Sequence, residues 1–136
     1  MSDVVQHWIL VVEDHADSAV MLTRLLKRAG YEVCNAARVA EALQIAGEKE
    51  QSGRPFDMVL SDLGLPDGTG YELMRQLRDR HHLRGIALSG YGQTEDVRRA
   101  LEAGFGCHLT KPIDFDKLRK AIEKMLASQP HPAIAS

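Results

Sequence analysis

The sequence predicts a doubly wound α/β fold, a three-layer sandwich in which one parallel sheet lies between two layers of helices. Two observations predict this class. Short apolar runs rich in β-branched residues recur along the chain, as expected of strands buried on both faces. Between these runs, apolar residues recur at every third or fourth position, which indicates amphipathic helices. Because strands and helices alternate, right-handed crossovers and a parallel sheet follow.

Five strands and five helices are predicted. The strands are expected at 8–12, 31–36, 56–61, 85–89 and 107–110. The helices are expected at about 17–29, 39–46, 70–80, 94–103 and 115–126, with Gly30 and Gly104 as stops and with Thr94 and Asp114 as N-caps. The glycine-rich segment between Asp62 and the third helix is predicted to be a loop, and so is Gly90-Tyr91-Gly92.

Length and composition indicate one ordinary globular domain. The chain has 136 residues, of which 44% are hydrophobic and 26% charged. We assign 1–7 to a lead-in, 8–127 to the domain and 128–136 to a disordered tail. A net charge of -2 argues against direct binding of nucleic acid. The sequence shows no long apolar run and no visible signal peptide, so the expected location is cytoplasmic. Cys34 and Cys107 are then expected to be reduced thiols.

Polar side chains follow four of the predicted strands. Glu13 and Asp14 follow the first strand, Asp62 the third, Ser89 ends the fourth and Lys111 follows the fifth. In a parallel sheet these ends share one edge, which is where such folds bind ligands. Three carboxylates, a hydroxyl and an ammonium are therefore expected in one pocket.

Three clustered carboxylates repel each other, and a hard divalent cation relieves that repulsion. Mg²⁺ prefers oxygen ligands at about 2.0–2.1 Å. A carboxylate can also attack phosphorus and form an acyl phosphate, whose developing charge needs cations and hydrogen-bond donors. The pocket thus suits phosphoryl transfer to Asp62, with Lys111 and Ser89 as supporting groups.

Other chemistries fit the sequence less well. No phosphate-binding Gly-x-x-x-x-Gly-Lys-Ser/Thr loop is present, and acids replace the glycines of a dinucleotide-binding loop after the first strand. Ser89 lacks the Gly-x-Ser-x-Gly setting of a hydrolase nucleophile. A phosphatase with an aspartyl nucleophile usually has a second acid two residues later, where this chain has Gly64.

Four segments resemble response-regulator receiver domains of two-component systems. They are 9–14 (ILVVED), 58–68 (MVLSDLGLPDG), 87–90 (ALSG) and 109–112 (LTKP), and the resemblance spans roughly residues 8 to 127. It implies a flavodoxin-like five-stranded parallel sheet in the order 2-1-3-4-5 and a cis peptide before Pro112. The segment 89–105 is similar to receivers of hybrid histidine kinases, so a stand-alone protein and a domain of a larger kinase both stay open.

The resemblance also implies a role for each site residue. Asp62 would accept the phosphoryl group, and Mg²⁺ would be held by Asp14, Asp62, the main-chain oxygen of Gly64 and, through water, Glu13. Lys111 would pair with the phosphoryl oxygens. The expected partner is a histidine kinase or a histidine phosphotransfer protein. Such a domain is a signalling phosphoacceptor that catalyses only its own phosphorylation and dephosphorylation.

Gly106, Cys107 and His108 depart from the common pattern of the family in the segment that reports phosphorylation. Ser89 is expected to act as a switch that moves to the phosphoryl group. His108 stands where the family usually has a switch Tyr or Phe, and it is either that switch or an ordinary strand residue. The face formed by helix 4, strand 5 and helix 5 is a candidate dimer interface. The alternative function is that of a receiver-like binding module that is never phosphorylated.

Overall fold

The computed structural model describes residues 6–90 and 94–127. The predicted loop around 91–93, the predicted tail at 128–136 and most of the lead-in lie outside these residues, as does the side chain of Thr94 with its predicted cap. The domain limits therefore stay a prediction.

Seven strands and five helices make up the described residues. In chain order they are β1 (Trp8–Val12), α1 (Ala16–Arg28), β2 (Glu32–Ala36), α2 (Val39–Gln51), β3 (Met58–Asp62), β4 (Gly64–Leu65), β5 (Gly68–Thr69), α3 (Gly70–His81), β6 (Gly85–Ser89), α4 (Thr94–Ala103), β7 (Phe105–Thr110) and α5 (Phe115–Ala127).

One five-stranded parallel sheet has the order β2-β1-β3-β6-β7. Since β6 and β7 are the fourth and fifth predicted strands, the predicted order 2-1-3-4-5 is confirmed. The peptide bond between Lys111 and Pro112 is cis, as the resemblance implied.

Alternate side chains of the strands pack into two hydrophobic cores, one on each face of the sheet. Leu10 and Val12 of β1 point into a core shared with α2, α3 and α4. Ile9 and Val11 point into a second core shared with α1 and α5. All four side chains are fully buried. Burial on both faces explains why the strands are continuous apolar runs rather than alternating ones.

The segment after β3 contains more structure than its composition indicated. The predicted loop holds a short antiparallel pair, β4 with β5, in which Gly64 pairs with Thr69 and Leu65 with Gly68. Strands of two residues are too short to produce a periodic signal in the sequence. The fifth predicted strand is also longer than expected, because β7 begins at Phe105 and a register irregularity follows at its start.

The helix ends follow the predicted capping residues. Asp114 precedes α5, and its Oδ1 accepts hydrogen bonds from the backbone N–H groups of Asp116 (2.9 Å) and Lys117 (3.3 Å). Gly30 and Gly104 have φ values of 101° and 116°, so they end α1 and α4 in a conformation that favours glycine.

Candidate functional site

A lysine joins two carboxylates at the carboxyl edge of the sheet. The Nζ of Lys111 donates hydrogen bonds to Oε1 of Glu13 (2.8 Å) and to Oδ2 of Asp62 (3.1 Å). Glu13 follows β1, Asp62 ends β3 and Lys111 follows β7, so the parallel topology brings together residues separated by 49 and 98 positions. The predicted grouping of these three residues is present.

Burial and hydrogen bonding set the charges of this group. The side chain of Glu13 is fully buried, and Asp62 is almost so. Burial raises the pKa of Asp62, and the hydrogen bond from Lys111 offsets this only in part. Burial acts in the same direction on Glu13, but hydrogen bonds from Lys111 and His15 outweigh it and lower the pKa of that carboxyl. Burial opposes the charge of Lys111, yet its two carboxylate partners hold its pKa above the usual value.

Asp14 and His15 extend the cluster to the rim of the pocket. One ligand atom from each of Glu13, Asp14, His15 and Asp62 lies within 4.8 Å of the others. The Nδ1 of His15 lies 3.0 Å from Oε2 of Glu13 and 3.4 Å from Oδ1 of Asp14. The hydrogen bond with Glu13, aided by the charge of Asp14, raises the pKa of His15. Sequence reasoning missed His15, although its position directly after the acidic pair was the available signal.

This donor set fits a divalent cation such as Mg²⁺. Three carboxylates at such short range repel each other, and Lys111 neutralises only part of their charge. Hard oxygen donors from Asp14 and Asp62 match the preference of Mg²⁺ for one or two carboxylates plus water. Gly64 lies two residues beyond Asp62 at the start of β4. Its main-chain oxygen is therefore a candidate ligand for the cation.

The backbone around Asp62 is held by several hydrogen bonds. The N–H of Leu63 donates to the carbonyl of Leu88 (3.1 Å), and the N–H of Gly70 donates to the carbonyl of Leu63 (2.9 Å). A Cβ at Gly70 would lie closer than 3.0 Å to the carbonyl oxygen of Asp62. Helix α3 therefore begins in direct backbone contact with the end of β3, a close approach that only glycine permits.

Asp67 contributes to the scaffold rather than to the acidic cluster. Its two carboxylate oxygens accept hydrogen bonds from the N–H groups of Val39 (2.7 Å) and Ala40 (3.0 Å), at the start of α2. The N-cap residue of α2, Arg38, makes no side-chain capping bond. The β4–β5 turn thus caps a helix that begins 28 residues earlier, and these hydrogen bonds lower the pKa of Asp67.

Ser89 and His108 lie beside each other on neighbouring strands. The Oγ of Ser89 is 2.8 Å from Nε2 of His108, and Ser89 is 7% exposed. His108 is half-buried, which fits both a switch residue and a partly exposed strand residue. The backbone N–H of Lys111 also donates to the carbonyl of Ser89 (2.7 Å), which ties Ser89 to the lysine of the pocket.

A family model described as the response regulator receiver domain matches residues 9–123. The chain belongs to this family. As a receiver domain of the response-regulator type, it is a module of two-component signalling. The predicted family is confirmed, and the acids, the lysine and the serine lie at the carboxyl edge of the sheet, as the predicted parallel topology implied.

Relatives and solved structures agree with this assignment. The receiver domain is 30% identical over 119 residues to sporulation initiation phosphotransferase F of Bacillus subtilis, covering 87% of this chain and 92% of that protein. It is 33% identical to the response regulator PilR of Pseudomonas aeruginosa, covering 86% of this chain but only 25% of PilR. A crystal structure of a putative response regulator from Chloroflexus aurantiacus aligns with a TM-score of 0.82 and 32% identity, covering 90% of this chain and 99% of that one. The predicted fold class is thereby confirmed.

Among residues 6–90 and 94–127, no helix combines the length and the apolar character that a membrane span requires.

Proposed function

We propose that this receiver domain accepts a phosphoryl group on Asp62 from a phosphohistidine of a partner protein, with Mg²⁺ bound in the acidic pocket. The observation that carries the proposal is the position of Lys111, whose ammonium bridges Asp62 and the buried Glu13. A carboxylate nucleophile, a cation beside it and further acids at 4.8 Å or less form the set that phosphoryl transfer to an acid requires.

The chemical step follows from these groups. A carboxylate oxygen of Asp62 forms a bond to phosphorus while the bond between phosphorus and the partner's imidazole nitrogen breaks. The imidazole leaves with the electron pair of that bond. Burial raises the pKa of Asp62, whereas the hydrogen bond from Lys111 favours the ionised carboxylate that attacks phosphorus. Lys111 balances charge that develops on the phosphoryl oxygens.

Mg²⁺ would be held by Asp14, Asp62 and the main-chain oxygen of Gly64, with Glu13 acting through water, and it would supply positive charge to the phosphoryl oxygens. His15 contacts Glu13 and Asp14 at the rim. The acyl phosphate carries about two negative charges in place of the single negative charge of the Asp62 carboxylate. Ser89 donates to a phosphoryl oxygen, and its neighbour His108 transmits this change toward the surface formed by α4, β7 and α5.

An apolar surface beside the pocket supports a protein as the phosphoryl donor. A cavity of about 310 Å³ opens next to Glu13 and Lys111, between α1 and the segment after β7. Its apolar lining includes Met21 and Phe115, and Met21 is 59% exposed. A histidine kinase or histidine phosphotransfer protein that covers this apolar surface would bring its phosphohistidine to Asp62.

Intact-mass spectrometry after incubation with acetyl phosphate and Mg²⁺ tests the proposal. The wild-type chain is expected to gain the mass of one phosphoryl group, and the Asp62→Asn variant is expected to gain none. Asp79→Asn is a matched control, because Asp79 is exposed on α3 and its carboxylate pairs with the neighbouring Arg78 side chain at 3.2 Å. Equal phosphorylation of the Asp62→Asn variant, or no gain by the wild-type chain, would refute the proposal.

The same assay, together with a phosphate-release assay, separates the two other candidate functions. A receiver-like binding module would gain no mass under any condition. A phosphatase would release phosphate from small phosphate esters over many turnovers, whereas the proposed phosphoacceptor hydrolyses only its own acyl phosphate.

A further inference from the structure

Ser89 and His108 form a hydrogen bond between neighbouring strands. In the β6–β7 pairing, His108 is the register partner of Ala87, so both side chains stand on the same face of the sheet. Ser89 lies two positions after Ala87 and therefore on that same face. The Nε2 of His108 lies 2.8 Å from the Oγ of Ser89. A phenylalanine ring at this position has no atom that could form this hydrogen bond.

The proton count of the two groups restricts how they can work together. A serine hydroxyl has one proton to donate, and a neutral imidazole has one N–H donor and one acceptor nitrogen. Phosphoryl oxygens on Asp62 would only accept hydrogen bonds. If the hydroxyl of Ser89 donates to Nε2 of His108, it has no proton left for a phosphoryl oxygen. Ser89 can bind both groups at once only when Nε2 carries a proton and donates to Oγ.

We propose that His108 is a positioning residue that, with its proton on Nε2, donates to Ser89 and directs the serine hydroxyl toward a phosphoryl group on Asp62. This inference rests on the proposed phosphorylation of Asp62. Two donors in series, from imidazole to hydroxyl and from hydroxyl to phosphoryl oxygen, polarise each other and strengthen the second bond. The contact between strands thereby becomes part of the phosphoryl-binding site.

The affinity for beryllofluoride, a phosphoryl analogue, tests this role when it is measured in the presence of Mg²⁺. One hydrogen bond corresponds to roughly a 2- to 10-fold change in affinity. His108→Phe is expected to weaken beryllofluoride binding by about that factor, because it keeps an aromatic ring but removes the donor. His108→Gln keeps an N–H group at a similar reach and is expected to restore most of the affinity.

A double-mutant cycle distinguishes positioning from a general structural effect. In a chain that already carries Ser89→Ala, His108→Phe is expected to have no further effect on beryllofluoride affinity, because the group that His108 orients is gone. Equal losses from His108→Phe with and without Ser89→Ala would overturn the inference.

The location of the proton provides an independent readout. With ¹⁵N-labelled histidine, the Nε2 resonance of His108 in the beryllofluoride-bound chain is expected at the position of a protonated ring nitrogen. An unprotonated Nε2 would overturn the inference even if the wild-type chain binds the analogue and gains a phosphoryl group. A wild-type chain that does neither would overturn the proposed function, and this inference with it.

Discussion

A glycine-to-alanine substitution at Gly70 tests how the fold positions Asp62. An ideal Cβ at Gly70 would lie closer than 3.0 Å to the main-chain oxygen of Asp62 and 3.0 Å from the Cα of Leu63. Ordinary contacts begin at 3.4 Å, so the backbone at the end of β3 must retreat by more than 0.4 Å, the difference between these distances. The atoms that obstruct the Cβ belong to backbone and cannot rotate away.

Two measurements follow from this displacement. Forcing an extra methyl group into a packed site destabilises a protein by about 1–3 kcal/mol, which urea denaturation would detect as a lower midpoint for Gly70→Ala. A misplacement of about 1 Å lowers a rate by about 10²-fold, so a shift of several tenths of an ångström predicts a loss of about tenfold. The rate of phosphorylation of Asp62 by acetyl phosphate is the quantity to compare.

Gly47 provides the matched control. It lies within α2, and a Cβ at this position would have no heavy atom within 4 Å. Gly47→Ala is therefore expected to stabilise the protein by about 0.5–1 kcal/mol and to leave the phosphorylation rate unchanged. If Gly70→Ala is as stable as the wild-type chain and is phosphorylated at the same rate, the inferred backbone contact does not position Asp62.

Three further predictions concern charges in and near the pocket. Lys111→Met removes the ammonium that pairs with the buried Glu13 and is expected to lower the free energy of unfolding by about 1–3 kcal/mol. Mg²⁺ is expected to restore part of this loss. An unchanged urea midpoint for Lys111→Met would contradict the prediction. Mg²⁺ is expected to raise the Tm of the wild-type chain at constant ionic strength but not that of Asp14→Ala, and an equal rise in both would exclude Asp14 as a ligand. Asp67→Asn is expected to lower the Tm near pH 7. Folding lowers the pKa of Asp67, so the contribution of its charge to stability is complete above the unfolded pKa of about 3.9 and is lost as the pH falls through the folded pKa. The difference in Tm between the wild-type chain and Asp67→Asn should therefore vanish in acid. A difference that persists in acid would show that the charge of Asp67 is not responsible.

The sequence could predict the sheet and the grouping of Glu13, Asp62 and Lys111 at one edge because both depend on topology. Apolar runs mark the strands, alternation with helices makes the sheet parallel, and parallel strands bring their carboxyl ends to one edge. The hydrogen bond from Lys111 to Glu13, across 98 positions of the chain, is a detail that only the folded structure shows.

Other features depend on contacts that no local pattern encodes. Asp67 looked like part of a loop motif, and only the folded chain shows that it caps α2. Gly70 looked like an ordinary helix start, although its missing Cβ is what allows α3 to touch β3. The role of His108 stayed open because its hydrogen-bond partner Ser89 lies 19 positions earlier, on a neighbouring strand.

Mapping the modified residue would show whether Asp62 carries the phosphoryl group. After reaction with a phosphohistidine donor and Mg²⁺, borohydride reduces an acyl phosphate to an alcohol and leaves a permanent mass change on the peptide. The change is predicted at Asp62 alone. Its appearance at Asp14 or Glu13 instead, or the recovery of unmodified peptides throughout, would contradict the account.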